Sequence, residues 1–69
     1  MKEIKREHYE NGQIEREVYL LNHKWHREDG PAYIKYCENG EITRKEYWIN
    51  GEYITDEFQI LVIEGLGIK

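Results

Sequence analysis

Glu10-Asn11-Gly12-Gln13-Ile14 and Glu38-Asn39-Gly40-Glu41-Ile42 decide the fold, and they lie 28 residues apart in a chain of 69. The match runs on through Arg16/Arg44, Tyr19/Tyr47 and Asn22/Asn50. That gives seven identities between positions 10 and 22, with Gln13/Glu41 and Leu21/Ile49 as near matches. A duplicated supersecondary unit accounts for this, because one such unit cannot bury its apolar surface alone and needs a neighbour to complete a core. Each Asn-Gly pair sits between alternating runs rich in aromatic and β-branched residues, and Asn-Gly supplies the two positive-φ residues of a type I′ turn. Two hairpins are therefore expected. A two-residue turn at Asn11-Gly12 sets Tyr9 opposite Ile14, Glu7 opposite Arg16 and Arg6 opposite Glu17, so opposite charges meet across the strands. The same turn is expected at Asn39-Gly40.

The second Asn of each repeat predicts a further turn, Asn22-His23 in one copy and Asn50-Gly51 in the other. His is among the non-Gly residues that best tolerate positive φ. These turns set Leu20 beside Trp25 and Trp48 beside Tyr53, so an apolar cross-strand pair recurs at one repeat position. Gly30-Pro31 ends the intervening strand, since Gly allows positive φ and Pro has no amide to donate. The chain thus reads as mostly β (α+β), a single domain over 1–69. Its antiparallel meander has strands near 3–9, 14–21, 24–28, 32–37, 41–49 and 52–55. Tyr9, Ile14, Val18, Leu20 and Trp25 share one face, and Ile4, Tyr19 and Leu21 the other. Asp56-x-x-Gln59 has capping-box spacing and Gly65 suits a C′ position, which outlines a short helix over 57–64. The β-branched Ile60, Val62 and Ile63 argue for a last strand instead; the helix is the reading adopted.

A domain of this size buries only about 60% of the surface its unfolded chain exposes, so its stability is modest. Small scaffolds commonly add disulfides, a metal or a partner subunit. Cys37 is the only cysteine, which rules out an internal disulfide, fits a reducing cytoplasmic compartment, and leaves homo-oligomerisation open. Met1 to Glu10 is charged throughout and resembles no signal peptide, and the longest apolar run, Ile60 to Ile63, is too short to span a bilayer. Fourteen Asp+Glu against ten Lys+Arg give a formal charge of -4. Residues 51–69 hold Glu52, Asp56, Glu57 and Glu64 against Lys69 alone. This balance argues against nonspecific nucleic-acid binding, which needs a field that attracts phosphate.

The phrase Asn22-His23-Lys24-Trp25-His26-Arg27-Glu28-Asp29-Gly30-Pro31-Ala32, followed by Tyr36 and Glu38-Asn39-Gly40, resembles a short repeat found in small proteins of tailed phages, giant viruses and some bacteria. That repeat carries a turn Asn, His-Arg-Glu-Asp-Gly-Pro-Ala, an aromatic strand and Glu-Asn-Gly. It covers about residues 9–53, and is also distantly similar to the variant MORN repeat, whose Asn-Gly hairpins stack into sheets. Three departures stand out: the repeat here has a longer period, His26, Arg27 and Glu28 replace MORN glycines, and Ile54-Thr55-Asp56-Glu57 replaces the His-Arg-Glu-Asp phrase in the second copy. The resemblance implies a virus-encoded accessory protein acting in the host cell.

His23, His26, Glu28, Asp29 and Cys37 could in principle ligate a divalent ion, but no pair has a familiar zinc spacing, and a charged corner capped by Gly-Pro is the stronger reading. No phosphate loop, nucleophile elbow or Rossmann fingerprint is present, so neither an enzyme nor a cofactor is expected. Trp25, Tyr33, Tyr36, Tyr47, Trp48 and Tyr53 interleave with Lys24, Lys35, Arg44 and Lys45. Sheet packing explains most of them, and exposed members would anchor a partner. The expected function is non-catalytic: binding and modulating a host protein through Trp25, Arg27, Tyr36, Arg44, Trp48 and Tyr53, with Glu57 and Glu64 steering association. The alternative is a protein that sequesters a nucleotide-like ligand on the same aromatic and basic surface. An enzyme using His26 and Asp29 ranks last.

Overall fold

A computed structural model describes residues 1–65; Lys69, counted above in the charge of the C-terminal stretch, lies outside them. The strands are β1 (Lys2–His8), β2 (Ile14–Leu21), β3 (Lys24–Trp25), β4 (Tyr33–Tyr36), β5 (Ile42–Ile49) and β6 (Glu52–Ile54), followed by α1 (Glu57–Ile63). All pairings are antiparallel, in the order β1-β2-β4-β5-β6, and β3 pairs with β2 on the same edge as β4. β3 and β4 are thus two pieces of one interrupted strand. The expected strand over 24–28 stops at Trp25, because His26 and Ala32 are the two ends of an excursion closed on a single residue. Tyr19 O accepts from His26 N at 2.9 Å, and Tyr19 N donates to Ala32 O at 2.7 Å. Gly30, Pro31 and Ala32 are buried at its base.

The Asn-Gly turns differ from the type I′ geometry expected at Asn11-Gly12 and Asn39-Gly40. Gly12 (φ 89°) and Gly40 (φ 93°) have positive φ, whereas Asn11 and Asn39 do not. Gly12 N donates to Tyr9 O and Tyr9 N to Gln13 O; Gly40 and Cys37 repeat the pattern with Cys37 and Glu41. Each is a three-residue loop, a type I turn closed by an αL glycine. The Asn side chains decide this: Asn11 Oδ1 accepts from Gln13 N at 2.9 Å and Asn39 Oδ1 from Glu41 N at 3.0 Å, Asx bonds that fix the Asn in a negative-φ turn. The register changes accordingly. Glu7 faces Arg16 and Arg6 faces Glu17 as expected, but Ile14 faces His8 rather than Tyr9, and Glu15 is left over as a bulge. Asn22-His23 (φ 51° and 67°) and Asn50-Gly51 (φ 51° and 81°) do carry positive φ at both positions. They set Leu20 opposite Trp25 and Trp48 opposite Tyr53.

The helical reading of the tail holds. Asp56 caps α1 by accepting from Phe58 N at 2.8 Å, and Gly65 follows in the left-handed region with φ 77°. Ile63 is buried and Tyr47 Oη donates to Glu64 at 2.6 Å, so α1 lies on the face that carries Tyr47 and Ile49. The excursion covers the same face, with the Arg27 guanidinium 4.0 Å above the Tyr19 ring. The hydrophobic core is small. Among the described residues it comprises Val18, Ala32, Ile34 and Ile63, and no large side chain is fully buried. No helix among them is long and apolar enough to cross a membrane.

Candidate binding face

Cross-strand neighbours project to one side of a sheet, so the register sorts the side chains. The face opposite α1 carries three rows. Glu7, Arg16, Lys35 and Arg44 form the first; Lys5, Val18, Tyr33 and Glu46 the second; Glu3, Leu20 and Trp25 the third, which Trp48 and Tyr53 extend. Four aromatic rings run in contact across it. Trp25 stacks on Tyr33 with centroids 5.3 Å apart and planes 4° apart, Trp48 meets Trp25 edge-on at 5.0 Å, and Tyr53 leans on Trp48 at 5.3 Å. Trp25, Tyr33 and Trp48 are half-buried and Tyr53 is 53% exposed. Glu46 fixes the middle of the row, accepting from Trp48 Nε1 at 3.1 Å and from Arg44 Nε at 2.6 Å.

Three of the four cations on this face are matched within the chain, and Lys5 is the fourth. Arg16 pairs with Glu7, Lys35 with Glu15 at 3.2 Å and Arg44 with Glu46, while Glu15 also lies 3.8 Å from Arg16. Such a surface has alternating sign and little net field for a phosphate group. A groove of about 480 Å³ opens beside it, lined by Lys5, Glu7, Arg16, Leu20, Trp25 and Tyr33 among others.

Of the residues expected to bind, Trp25, Arg44, Trp48 and Tyr53 come together on this face. Arg27 and Tyr36 lie on the opposite one. Arg27 bonds Asp29 at 2.9 Å and Pro31 O at 3.2 Å, locking the excursion; the guanidinium holds the Asp29 carboxyl below its ordinary pKa. Tyr36 donates to the buried Glu17 at 2.6 Å, and Arg6 Nε donates to the other carboxylate oxygen at 2.6 Å. Burial works to raise the Glu17 pKa, but the Tyr36 and Arg6 hydrogen bonds and the charges of Arg6 and Arg27 leave it below the usual value. The Tyr36 phenol, bonded to that carboxylate and partly desolvated, is pushed up to about 12. Glu64 is engaged by Tyr47; Glu57 stands exposed in the first turn of α1.

Tyr33, Lys5 and Arg16 belong to the face but were not singled out as binding residues. Lys5 and Arg16 follow from the β1–β2 hairpin register, which sets them opposite Val18 and Glu7, whereas the signal for Tyr33 is the β2–β4 register, which only becomes readable once β3 is known to stop after two residues. His26 is buried, and its Nδ1 accepts from Asn50 N at 2.9 Å, so its proton sits on Nε2, 3.0 Å from Glu28. Nδ1 therefore ties the excursion to the β5–β6 turn, and Nε2 braces the excursion internally. Cys37 Sγ donates to Asn39 Oδ1 at 2.7 Å. Among the described residues, no three His, Cys, Asp or Glu side chains converge as metal ligands. Comparison with protein-family models, with curated proteins and with solved structures found no significant match.

Proposed function

We propose that this chain is a non-catalytic binding protein that docks its aromatic sheet face on another protein. The observation that carries this reading is the contiguous row Tyr33–Trp25–Trp48–Tyr53, left uncovered by the described residues while α1 and the excursion cover the other face. Half-exposed Trp and Tyr in contact are the anchors that dominate protein interfaces, and paired charges around them make a polar rim. The repeat resemblance supports an accessory protein of viral origin that modulates a host protein in the host cytoplasm, built by duplication of a 28-residue unit. The groove of about 480 Å³ favours a second reading, sequestration of a nucleotide-like ligand against Trp25 and Tyr33 with Lys5 and Arg16 nearby. Two features weigh against that rival. Trp25 and Tyr33 each spend one ring face on the other, and Arg16 is neutralised by Glu7.

Affinity capture from host lysate, run with the wild-type chain and with Tyr53→Asp, tests the proposal. Tyr53 is exposed enough for this change to spare the fold, and a charge at the end of the aromatic row should abolish capture of the specific partner. Mass spectrometry of small molecules extracted from the wild-type protein runs alongside. A co-purifying nucleotide that is lost on Arg44→Ala would sink the protein-docking reading in favour of sequestration.

A further inference from the structure

We propose that the first occupant of the aromatic face is a second copy of this chain, packed sheet to sheet about a two-fold axis that runs parallel to the strands midway between β2 and β4. The inference rests on reading that face as a docking surface. Such an axis exchanges β1 with β5 and β2 with the β3–β4 strand, and the three rows then meet themselves reversed. In the middle row Lys5 comes over Glu46 of the second copy, and Val18 over its Tyr33. In the charged row Glu7 comes over Arg44 of the second copy. In the third, Leu20 comes over its Trp25. Arg16 meets Lys35 of the second copy, and Glu15, bonded to Lys35 and beside Arg16 in its own chain, lies with them. A self-complementary patch of this kind is what a closed two-fold interface requires.

Two further observations point to the same occupant. Among the described residues Lys5 has no ion-pair partner within the chain, although it stands in the aromatic row's own neighbourhood. The core is also small: among the described residues four apolar ones are buried, and none of these residues forms a second layer on one sheet face. Stable domains have at least two layers, and aligned sheets pack face to face about 10 Å apart, a gap that Trp, Tyr, Leu and Val side chains fill. The area suffices. Four overlapping strand positions, each about 4.8 Å wide, and eight residues rising about 3.4 Å each give a face of roughly 500 Å² per copy, on the order of 1,000 Å² for the pair, where specific interfaces begin.

The test uses the full chain and its charges rather than its tryptophans, so that folding is preserved. Glu7→Lys and Arg44→Glu lie at exposed positions, and near-ultraviolet circular dichroism checks that each variant keeps its aromatic packing. In sedimentation equilibrium the wild-type chain should be a dimer, and each variant alone should dissociate roughly 10-fold more readily, since both copies then oppose like charges. Mixing the two variants restores one native and one inverted Glu7–Arg44 pair, so the mixture should dimerise as tightly as wild type. A wild-type chain that stays monomeric at millimolar concentration, or a mixture no tighter than its separate components, overturns the inference. A monomeric chain that still captures another protein through Tyr53 overturns this inference alone and leaves the proposed function standing. Charge-swap dimerisation by a chain that captures nothing else supports the dimer and removes the host protein.

Discussion

Replacing Glu17 by Gln should destabilise the fold by about 1 kcal/mol through the Tyr36 bond alone. In the native chain that bond is charge-assisted, at 2.6 Å between the phenol and a carboxylate that is buried. Hydrogen bonds to a charged group contribute roughly 1.5–3 kcal/mol and neutral ones about 1. Gln keeps the shape and one acceptor oxygen, so the bond is weakened rather than lost. Arg6 lies partly in solvent, where screening takes most of its share, and it is left out of the figure. For a domain of this size, about 1 kcal/mol lowers the melting temperature by roughly 4–8 °C. The pH dependence is the sharper readout. A carboxylate whose pKa is depressed in the folded state contributes stability above its unfolded pKa, near 4.5, and loses it as pH falls through the folded value. Thermal melts followed by circular dichroism, from neutral pH downward, should therefore show a steep acid loss in wild type and a flatter one in Glu17→Gln. A variant that melts within a degree of wild type with the same acid profile would refute the role given to Glu17.

Tyr36 and Tyr47 predict the opposite limb. Both phenols are pushed up to about 12 from an ordinary 10.0, Tyr36 mainly by its bond to Glu17 and Tyr47 mainly by burial and then by Glu64. Their contribution is complete below about 10 and is lost as pH rises through about 12, so a Tyr36→Phe/Tyr47→Phe chain should show a shallower alkaline loss than wild type in the same melts. Gly30→Ala addresses the excursion: an added Cβ would sit 2.8 Å from Arg27 Cζ and displace the guanidinium from Tyr19, Asp29 and Pro31. A loss of about 1–2 kcal/mol is expected in wild type and almost none in an Arg27→Ala background, and equal losses in both would mean that the guanidinium is not what Gly30 accommodates.

The strands were legible because each lies next to a turn residue that only a few side chains can supply. Asn22, Asn50 and Gly51 fixed two hairpins, and with them the Leu20–Trp25 and Trp48–Tyr53 pairs. Asn11-Gly12 and Asn39-Gly40 misled in detail, since Asn serves equally as a positive-φ residue and as an Asx acceptor, and the side-chain bond to Gln13 or Glu41 is a three-dimensional fact. Half of the candidate site was legible for a related reason. Trp25, Trp48 and Tyr53 are placed by local hairpins, as is Lys5 by the β1–β2 register, whereas Tyr33 reaches the face through the pairing of β2 with β4, across an excursion whose length the sequence does not mark. Arg27 and Tyr36 went to the wrong face because alternation cannot be counted through that excursion.

Tyr19 makes the strand beside β2 a splice. Its N–H donates to Ala32 O and its C=O accepts from His26 N, the two ends of the 26–32 segment, and Trp25 and Tyr33 stack as if they were neighbours along one strand. The exposed Glu28 and Asp29 stand outside the sheet's ladder altogether. Residues added between them would lengthen a loop over the covered side without shifting a rung or turning an aromatic ring. Loop closure grows only slowly with length, so such additions are thermodynamically inexpensive. The chain thus has one place where a lineage could acquire new surface chemistry while inheriting its aromatic face unchanged.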